Sequence, residues 1–348
     1  MATIIKKPNQ HFDATTYTGT GSTNTITNAG GFQPDLVWVK NRTTAGAEHE
    51  LIDSVRGSTK GLQSSTTAAE VTDANFPTIT STGFTVGASS YTNQNGASLV
   101  AWQWKAGGAS TVNASGTISS NVSVNTTAGF SIMTYTGTGS NGTVGHGLST
   151  APKMVIVKSR GNGGNEWCVW HTSLTNGTYY LYLNGTAGQA VDTTFWNSTT
   201  PTNTVINLGT NTRTNQSGNA IVAYAWSEVA GYSKFGSYTG NASTDGPFVY
   251  LGFKPAFILI KRYDAGTQNW LIFDTKRDTY NVSNKKLAPN LNSDENNTGT
   301  IGSSTEDIID ILSNGFKMRS VNNHTNISGG TFIYAAFAEA PFKYATAK

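Results

Sequence analysis

Three segments of this 348-residue chain repeat one pattern at a fixed spacing, and this repetition restricts the possible folds more than any other feature. Each copy has a Tyr-Thr-Gly or similar turn motif, then a proline, then an apolar run that ends in a lysine. The framework residues are Tyr17, Pro34 and Lys40 in the first copy, Tyr135, Pro152 and Lys158 in the second, and Tyr238, Pro255 and Lys261 in the third. Tyrosine and proline are 17 residues apart, and tyrosine and lysine are 23 apart, in every copy. Composition alone would not keep both distances three times, so we predict three copies of one structural unit.

Each copy closes with a strand-like run that ends in an aromatic residue, at Trp104, Trp226 and Phe337. These aromatics follow the opening tyrosines by 87, 91 and 99 residues, so the copies differ by insertions in their middle, where loops are expected. The predicted organisation is an N-terminal arm, three repeats and a Gly/Ser/Asn-rich linker that could also contribute a strand. The boundaries are 1–14 for the arm, 15–106, 128–229 and 230–348 for the repeats, and 107–127 for the linker.

The composition favours strands over helices. Only 12% of the residues are charged, and 38 glycines accompany many Thr, Ser and Asn residues. Short apolar runs bounded by Gly and Asn predict an all-β chain of three tandem β-sandwich modules, of a jelly-roll or lectin-like kind. The runs Val37–Val39 and Phe257–Ile260 are apolar on both faces, which predicts a central strand that is covered on each side. One short helix is predicted from an N-cap at Ser303 to a stop at Asn314.

Three sets of polar residues have a structural interpretation and a functional alternative. We expect the repeated lysines to lay their stems on the core with the ammonium in water, rather than to bind a ligand. Asp53 with Arg56, and Asp274 with Arg277, share one spacing and predict structural ion pairs. Cys168 is the one cysteine, so it forms no intrachain disulfide, and its apolar neighbours predict a buried thiol rather than a nucleophile.

The search for chemistry predicts no catalytic, metal-binding or cofactor-binding residue. Gly137–Gly142 matches G-x-G-x-x-G, but no helical pattern follows it, as a dinucleotide site requires. The histidines are scattered and none recurs in all three copies. Most tryptophans lie in strand-like runs; Trp196 is the least strand-like and is our candidate for an exposed receptor contact. The net charge of +3 and the lack of a basic run argue against a nucleic-acid binder, and no apolar run is long enough to span a membrane.

Several motifs resemble those of a repeat family of virion structural proteins from tailed, mainly marine, bacteriophages. The resemblance is carried by Asn9–Asp13 running into Tyr-Thr-Gly-x-Gly, by Asp53–Gly57 and by the join Glu228–Tyr238 between the second and third copies. It covers nearly the whole chain. It implies a protein displayed on the particle surface, as a tail fibre, another appendage or a capsid component, and it implies no catalytic residue.

These observations lead to two expectations for function. The first is a non-enzymatic surface appendage or fibre module for host attachment; the alternative is a capsid decoration or cement-type protein that binds no receptor. A polysaccharide depolymerase would need paired carboxylates in a groove, and the sequence suggests no such pair. The expected partners are other virion proteins, further copies of the chain in a homo-oligomer, for which we predict a trimer, and host surface glycan. We expect no cofactor, no nucleic acid and no membrane insertion.

Overall fold

The computed structural model describes residues 5, 7–296 and 308–338, and within them the chain is built almost wholly from antiparallel β-strands. The predicted all-β, sandwich-type fold is therefore confirmed. Three one-turn helices accompany the strands: a 3₁₀ turn at Pro8–Gln10, α1 at Thr193–Trp196 and α2 at Thr212–Asn215.

The strands fall into three groups that follow the three sequence copies, and we call these groups repeats 1, 2 and 3. Repeat 1 contains β1 Phe12–Thr18, β2 Asn24–Thr27, β3 Leu36–Asn41, β4 Glu50–Asp53, β5 Lys60–Gln63, β6 Val71–Thr72, β7 Thr78–Thr80, β8 Gly83–Val86 and β9 Ser98–Trp104. Repeat 2 contains β10 Thr111–Asn113, β11 Ser120–Asn125, β12 Phe130–Thr136, β13 Gly142–Gly145, β14 Met154–Ser159, β15 Cys168–His171, β16 Tyr179–Tyr182, β17 Ala190–Val191, β18 Val205–Leu208 and β19 Ala220–Trp226. Repeat 3 contains β20 Ser233–Thr239, β21 Phe248–Tyr250, β22 Pro255–Arg262, β23 Leu271–Asp274, β24 Ile309–Leu312, β25 Gly315–Met318 and β26 Thr331–Ala338.

Each repeat consists of a large sheet and a small outer sheet with an apolar layer between them. The large sheets have the orders β1-β9-β3-β4-β5-β6, β10-β11-β12-β19-β14-β15-β16-β17 and β20-β26-β22-β23. The small sheets are β2-β8-β7, β13-β18 and β21-β25-β24. In all three large sheets, the closing strand of the repeat lies between its opening strand and its apolar central strand. The repeated sequence pattern therefore encodes a repeated topology.

The apolar central strands are covered on both faces, as predicted. Every residue of β3 is buried. Leu36 and Trp38 on one face join a core that all three repeats share, whereas Val37 and Val39 on the other face join the layer between the two sheets of repeat 1. The small sheets consequently lie on the far side of the large sheets from the shared core.

The shared core is aromatic and contains the closing residue of every repeat. The ring centroid of Trp104 lies 6.1 Å from that of Trp226 and 5.6 Å from that of Phe337. Burial of each such side chain contributes about 2–3 kcal/mol to folding. The repeats therefore pack around one shared core and are not three separate domains in a row.

Two predictions about segments are corrected here, and a third is made more definite. The arm is part of the fold from Pro8 onward: Phe12 is 1% exposed and its ring stacks on Phe337 at 5.5 Å between centroids. The segment 107–127, which was expected to be a linker with a strand as an open alternative, contains strand residues, because β10 and β11 extend the large sheet of repeat 2. The predicted helix is contradicted at its C-terminal end, where Ile309–Leu312 is strand β24 paired to β25; residues 303–307 lie outside the described residues. The domain boundaries otherwise stay a prediction.

Candidate functional site

The framework tyrosines have one role in all three repeats. Each lies near the end of the opening strand, is largely buried, and donates its hydroxyl to the backbone carbonyl of a threonine. The pairs are Tyr17 to Thr92 at 2.6 Å, Tyr135 to Thr214 at 2.7 Å and Tyr238 to Thr325 at 2.8 Å. Burial raises the pKa of Tyr17 and Tyr135, so these hydroxyls stay protonated donors. The glycine two residues after each tyrosine is required by close packing: a Cβ on Gly19 would lie 2.0 Å from the carbonyl oxygen of Gln94.

The framework prolines precede the central strands and are buried. Strand β22 begins at Pro255, as predicted, whereas β3 and β14 begin two residues after Pro34 and Pro152.

The framework lysines are fully buried, so the prediction that their ammonium groups reach water is wrong. Each Nζ donates to the carbonyl seven residues ahead, at Ala47, Asn165 and Gln268 for Lys40, Lys158 and Lys261. Each also donates to a carbonyl of a neighbouring repeat: Lys158 to Thr67 at 3.1 Å, Lys261 to Thr186 at 2.8 Å and Lys40 to Asn292 at 3.4 Å. Desolvation lowers the pKa of Lys40 and Lys158 to about 8, and that of Lys261 to about 7.

These contacts run in one direction around a closed ring. Repeat 2 reaches into repeat 1, repeat 3 into repeat 2, and repeat 1 into repeat 3. We name the three contact regions the 2/1, 3/2 and 1/3 interfaces, with the lysine donor first. The ring explains why the lysine has a fixed position at the end of the central strand. From there its ammonium group donates a hydrogen bond to the neighbouring repeat.

The predicted Asp53–Arg56 ion pair forms, and it lies at the 2/1 interface. Both side chains are fully buried, and Asp53 also accepts a 2.7 Å hydrogen bond from the hydroxyl of Tyr224 in repeat 2. Arg56 donates to Glu70 at 3.0 Å, and Glu70 in turn holds Arg160 of repeat 2 with two 2.8 Å bonds. Charge from both repeats is thus neutralised within one buried network.

The 1/3 interface repeats this network with equivalent residues. Asp274 pairs with Arg277 at 2.5 Å and accepts a 3.0 Å bond from the indole of Trp102 in repeat 1. Glu295 binds Arg277 at 2.8 Å and Arg42 of repeat 1 at 2.7 Å. The second predicted ion pair is therefore also present.

The 3/2 interface has the same geometry without the charges. His171 and Leu174 occupy the positions of Asp53 and Arg56, and the imidazole Nε2 of His171 lies 3.1 Å from the carbonyl of Tyr334. Burial lowers the pKa of His171 to about 4, so the ring is neutral. Gln189 takes the place of Glu70: its backbone N–H donates to repeat 3 at Tyr263, as that of Glu70 donates to repeat 2 at Arg160.

Repeat 1 carries a cavity of about 370 Å³ at the edge of its large sheet. Glu50 lines it and is 1% exposed. Its Oε1 accepts a 2.6 Å bond from the amide of Gln63, while its Oε2 has no hydrogen-bond partner among the described residues. Desolvation raises the pKa of Glu50 to about 7, with Glu48 and Asp73 adding to the rise and Gln63 and Arg56 opposing it.

A second, more open cavity of about 490 Å³ lies where residues 105–108 and 124–127 meet the start of repeat 1. His11, Asp35 and Lys105 contribute to its lining. Asp35 Oδ2 accepts hydrogen bonds from the backbone N–H groups of Ala106 and Gly108. This carboxylate therefore fixes the segment that follows β9 against the start of β3 at the cavity wall.

A family model described as Domain of unknown function (DUF7483) matches residues 7–341. The chain belongs to the DUF7483 family. The DUF7483 match spans all three repeats, in agreement with their shared core. No curated protein and no solved structure matches the chain.

Trp196 and Cys168 of this DUF7483 chain are both buried. Trp196 is 2% exposed and packs beside Phe195 between the sheets of repeat 2, so the prediction of an exposed aromatic is wrong. The residue lies in α1, which turns both rings into the core, and a four-residue helix gives no strand-like signal in the sequence. Cys168 is fully buried, as predicted, and desolvation raises its pKa.

Within the described residues, no group of three or more His, Cys, Asp or Glu side chains is placed to hold a metal ion. Gly137–Gly142 connects β12 to β13, so a strand and not a helix follows the glycine pattern. No described helix has the length and apolar character needed to cross a membrane.

Sequence reasoning missed a buried asparagine that organises the same turn in every DUF7483 repeat. Asn93, Asn215 and Asn326 each accept from the backbone N–H of the residue after the framework glycine, and each donates to two carbonyls that close the loop. Each follows the threonine that binds the framework tyrosine. A signal was available: the Thr-Asn pair recurs in each copy, with Asn 11 residues before the closing aromatic.

Proposed function

We propose that this DUF7483 protein is a bacteriophage virion structural protein, displayed on the particle surface as an appendage or fibre module for host attachment. The resemblance of its repeat motifs to those of phage virion proteins supports this proposal. The proposal gives it no catalytic role. Its partners would be other virion proteins, further copies of the chain, for which we propose a trimer, and a host surface glycan.

The observation that carries the proposal is the closed ring of three repeats. The shared aromatic core and the three lysine contacts bind the repeats into one body. The small sheets and their loops lie outside this body. Rigid scaffolds that carry variable outer loops are the usual way in which proteins present binding residues.

The N-terminal segment also favours host attachment over a role as a capsid-docking arm. In the alternative, a capsid decoration protein, residues 1–14 would serve as an arm that docks on the capsid. From Pro8 onward the described part of this segment belongs to the fold, and Phe12 is a core residue. A capsid role would therefore have to use another surface.

Immunogold labelling of purified phage particles that encode the chain tests the proposal. We expect label on the tail or another appendage, and we expect the purified protein to bind host cells. Label on the capsid without cell binding would favour the decoration alternative. Absence of the chain from purified particles would contradict both.

A further inference from the structure

The small sheet of repeat 3 carries two exposed aromatic side chains on its edge strand. Phe248 and Tyr250 of β21 are 46% and 59% exposed, whereas Val249 between them is buried in the layer between the two sheets. Because side chains alternate along a strand, both rings lie on the outer face of this sheet. Neighbouring apolar side chains that stay exposed are typical of surfaces that meet a partner.

Repeat 1 shows that the fold does not need these rings. Its small sheet has the same arrangement, in which Thr27 of β2 lies opposite Gly83 as Tyr250 of β21 lies opposite Gly315. Thr25 and Thr27 of repeat 1 are therefore the equivalents of the two aromatic residues of repeat 3. Two threonines complete the same sheet, so the aromatic side chains have another use.

Strand β21 also has free backbone groups along one side. Leu251, which follows the strand, donates its N–H to the carbonyl of Asn314 at 2.8 Å. Because hydrogen-bonded pairs alternate in an antiparallel ladder, the N–H and C=O groups of Phe248 and Tyr250 point away from β25. We call this row of groups the β21 edge. Among the described residues only Lys234 bonds to it, by donating its Nζ to the carbonyl of Tyr250 at 3.0 Å.

Repeat 2 shows what occupies the equivalent edge. There the small-sheet strand β13 is paired on its outer side by the connection between β10 and β11. Ile118 of this connection forms a parallel bridge with Val144 and donates its N–H to the carbonyl of Thr143 at 2.9 Å. The hydroxyl of Thr117 accepts a 2.8 Å hydrogen bond from the N–H of Thr143. A short extended segment of polypeptide thus satisfies the edge of β13.

The flank of repeat 3 beside the β21 edge is open. In repeat 2, β10 and β11 extend the large sheet beyond the opening strand β12. In repeat 3, the opening strand β20 is itself the edge of the large sheet, and no described strand lies beyond it. The segment that pairs with β13 therefore has no counterpart among the described residues of repeat 3.

We propose that the β21 edge binds a short extended segment of a partner protein, which runs parallel to β21 as Ile118 runs along β13. In this pairing the carbonyl of Phe248 accepts a hydrogen bond from the segment, and the N–H of Tyr250 donates one to it. The outward side chains of the segment lie beside the two aromatic rings, so we expect them to be apolar.

Lys234 limits the length of the segment. Its ammonium group holds the carbonyl of Tyr250, so the pairing ends at this residue. Edge strands with a lysine at such a place resist open-ended addition of further strands. The inference goes beyond the proposed function, since it concerns an edge of the fold and depends on neither the virion nor host attachment.

Fluorescence anisotropy of a labelled peptide tests the inference. The probe has the sequence of residues 114–122 with Thr117→Val and Ser119→Val, because these positions would lie beside the two rings. We expect saturable binding to the full chain. Binding should be about tenfold weaker or more to a chain with both Phe248→Thr and Tyr250→Thr, which gives β21 the residues of β2. Absence of binding, or equal binding to both chains, would overturn the inference.

Two controls accompany this titration. Val191→Thr removes an exposed apolar side chain from an edge strand of repeat 2, and it should leave the affinity for the peptide unchanged. If the double variant does not fold, Tyr250→Thr alone takes its place. Unchanged affinity in Tyr250→Thr would then contradict the proposed site.

Amide hydrogen exchange separates strand pairing from contact with the rings alone. We expect the peptide to slow exchange of the N–H of Tyr250 about tenfold or more, because this group becomes hydrogen-bonded. The N–H of Thr27, its equivalent in repeat 1, should exchange at an unchanged rate. Binding without protection of Tyr250 would show that only side chains are contacted, and edge pairing would be wrong.

Sedimentation of the chain alone separates a partner protein from a second copy of the chain. We expect the same oligomeric state for the wild type and for the double threonine variant. An oligomer that dissociates in the variant would show that the β21 edge binds another copy, and the inference of a separate partner would be wrong. Absence of the chain from phage particles would contradict the proposed function and leave this inference standing.

Discussion

At the 2/1 interface the carboxylate of Asp53 is shared by Arg56 and Tyr224, whereas at the 3/2 interface His171 holds the equivalent position. Leu174 replaces the arginine there, and Ala335 replaces the tyrosine that reaches across. One interface therefore contains a buried ionic network, and the other has the neutral side chains of His171, Leu174 and Ala335 at the equivalent positions. Both interfaces join equivalent strands of two neighbouring repeats.

Other contacts are common to the two interfaces. In each, a buried lysine donates to a carbonyl of the neighbouring repeat, Lys158 to Thr67 and Lys261 to Thr186. In each, an indole donates to another carbonyl, Trp167 to Gln63 at 2.8 Å and Trp270 to Tyr182 at 2.9 Å. These shared donors are sufficient to set the geometry of the ring, and the ion pairs are replaceable additions to it.

Breaking the charged network should have the largest effect. In Asp53→Ala, the fully buried guanidinium of Arg56 and the hydroxyl of Tyr224 lose their shared acceptor, and we expect the free energy of unfolding to fall by about 3–5 kcal/mol. His171→Ala, at the equivalent position, should cost only about 1–3 kcal/mol because no charge is left unpaired. Urea denaturation of both variants measures the difference.

A triple variant sharpens this comparison. Asp53→His, Arg56→Leu and Tyr224→Ala together give the 2/1 interface the residues that the 3/2 interface has at these three positions. We expect this variant to fold and to be more stable than Asp53→Ala alone, because the three buried partners are replaced together and Glu70 keeps its pair with Arg160. If the triple variant is less stable than the single one, the network is needed to close the ring of three repeats.

Acid should weaken the neutral interface through its histidine. The pKa of His171 is lowered to about 4, against 6.5 for an ordinary histidine, so between these values the unfolded state binds more protons than the folded state. Stability from this group is complete above pH 6.5 and is lost as the pH falls toward 4. We expect a loss of about 2 kcal/mol between pH 7 and pH 5.

The matched variant for this experiment is His171→Gln, which keeps a polar side chain without a titration. Its free energy of unfolding should change less between pH 7 and pH 5 than that of the wild type. Identical pH dependence of the two proteins would refute the assignment of a buried, neutral His171.

The sequence was most informative where the three repeats agree. The spacing of Tyr17, Pro34 and Lys40 predicted the repeat, and the apolar run between Pro34 and Lys40 predicted the central strand with both faces covered. Local chemistry of this kind depends on residues that are close in the chain. The i, i+3 spacing of Asp53 and Arg56 likewise predicted their ion pair.

The predictions failed where a residue's surroundings come from another repeat. Lys40 looked like a strand-end lysine with its ammonium in water, because nothing near it in sequence shows that Asn292 closes over it. The shared core is invisible for the same reason, since one repeat does not reveal which face of its sheet meets the others.

Removing the carboxylate of Glu70 should lower the free energy of unfolding by a moderate amount. Glu70→Gln keeps the shape of the residue that the 3/2 interface has as Gln189, but it weakens two 2.8 Å bonds from Arg160 and one from Arg56. We expect thermal or urea unfolding to show a loss of about 1–2 kcal/mol. Among the described residues, the side chain of Gln189 hydrogen-bonds to Thr175 alone, through three exposed bonds, so Gln189→Ala should change stability by about 0.5 kcal/mol or less. Equal losses in the two variants would mean that the Glu70 network adds nothing.

The smallest expected effect is a difference between two equivalent indoles. Trp167→Phe and Trp270→Phe each remove one hydrogen bond of nearly equal length from a fully buried ring, the first at the charged interface and the second at the neutral one. If the shared donors set the ring geometry independently of the charges, the two losses in unfolding free energy should agree within about 0.5 kcal/mol. If the ionic network strengthens the hydrogen bonds around it, Trp167→Phe should cost more, and repeating the measurement in the Glu70→Gln background should abolish the excess. An excess that persists in that background would instead place its cause in the packing of Trp167, whose ring also lies 6.0 Å from the ammonium of Lys158.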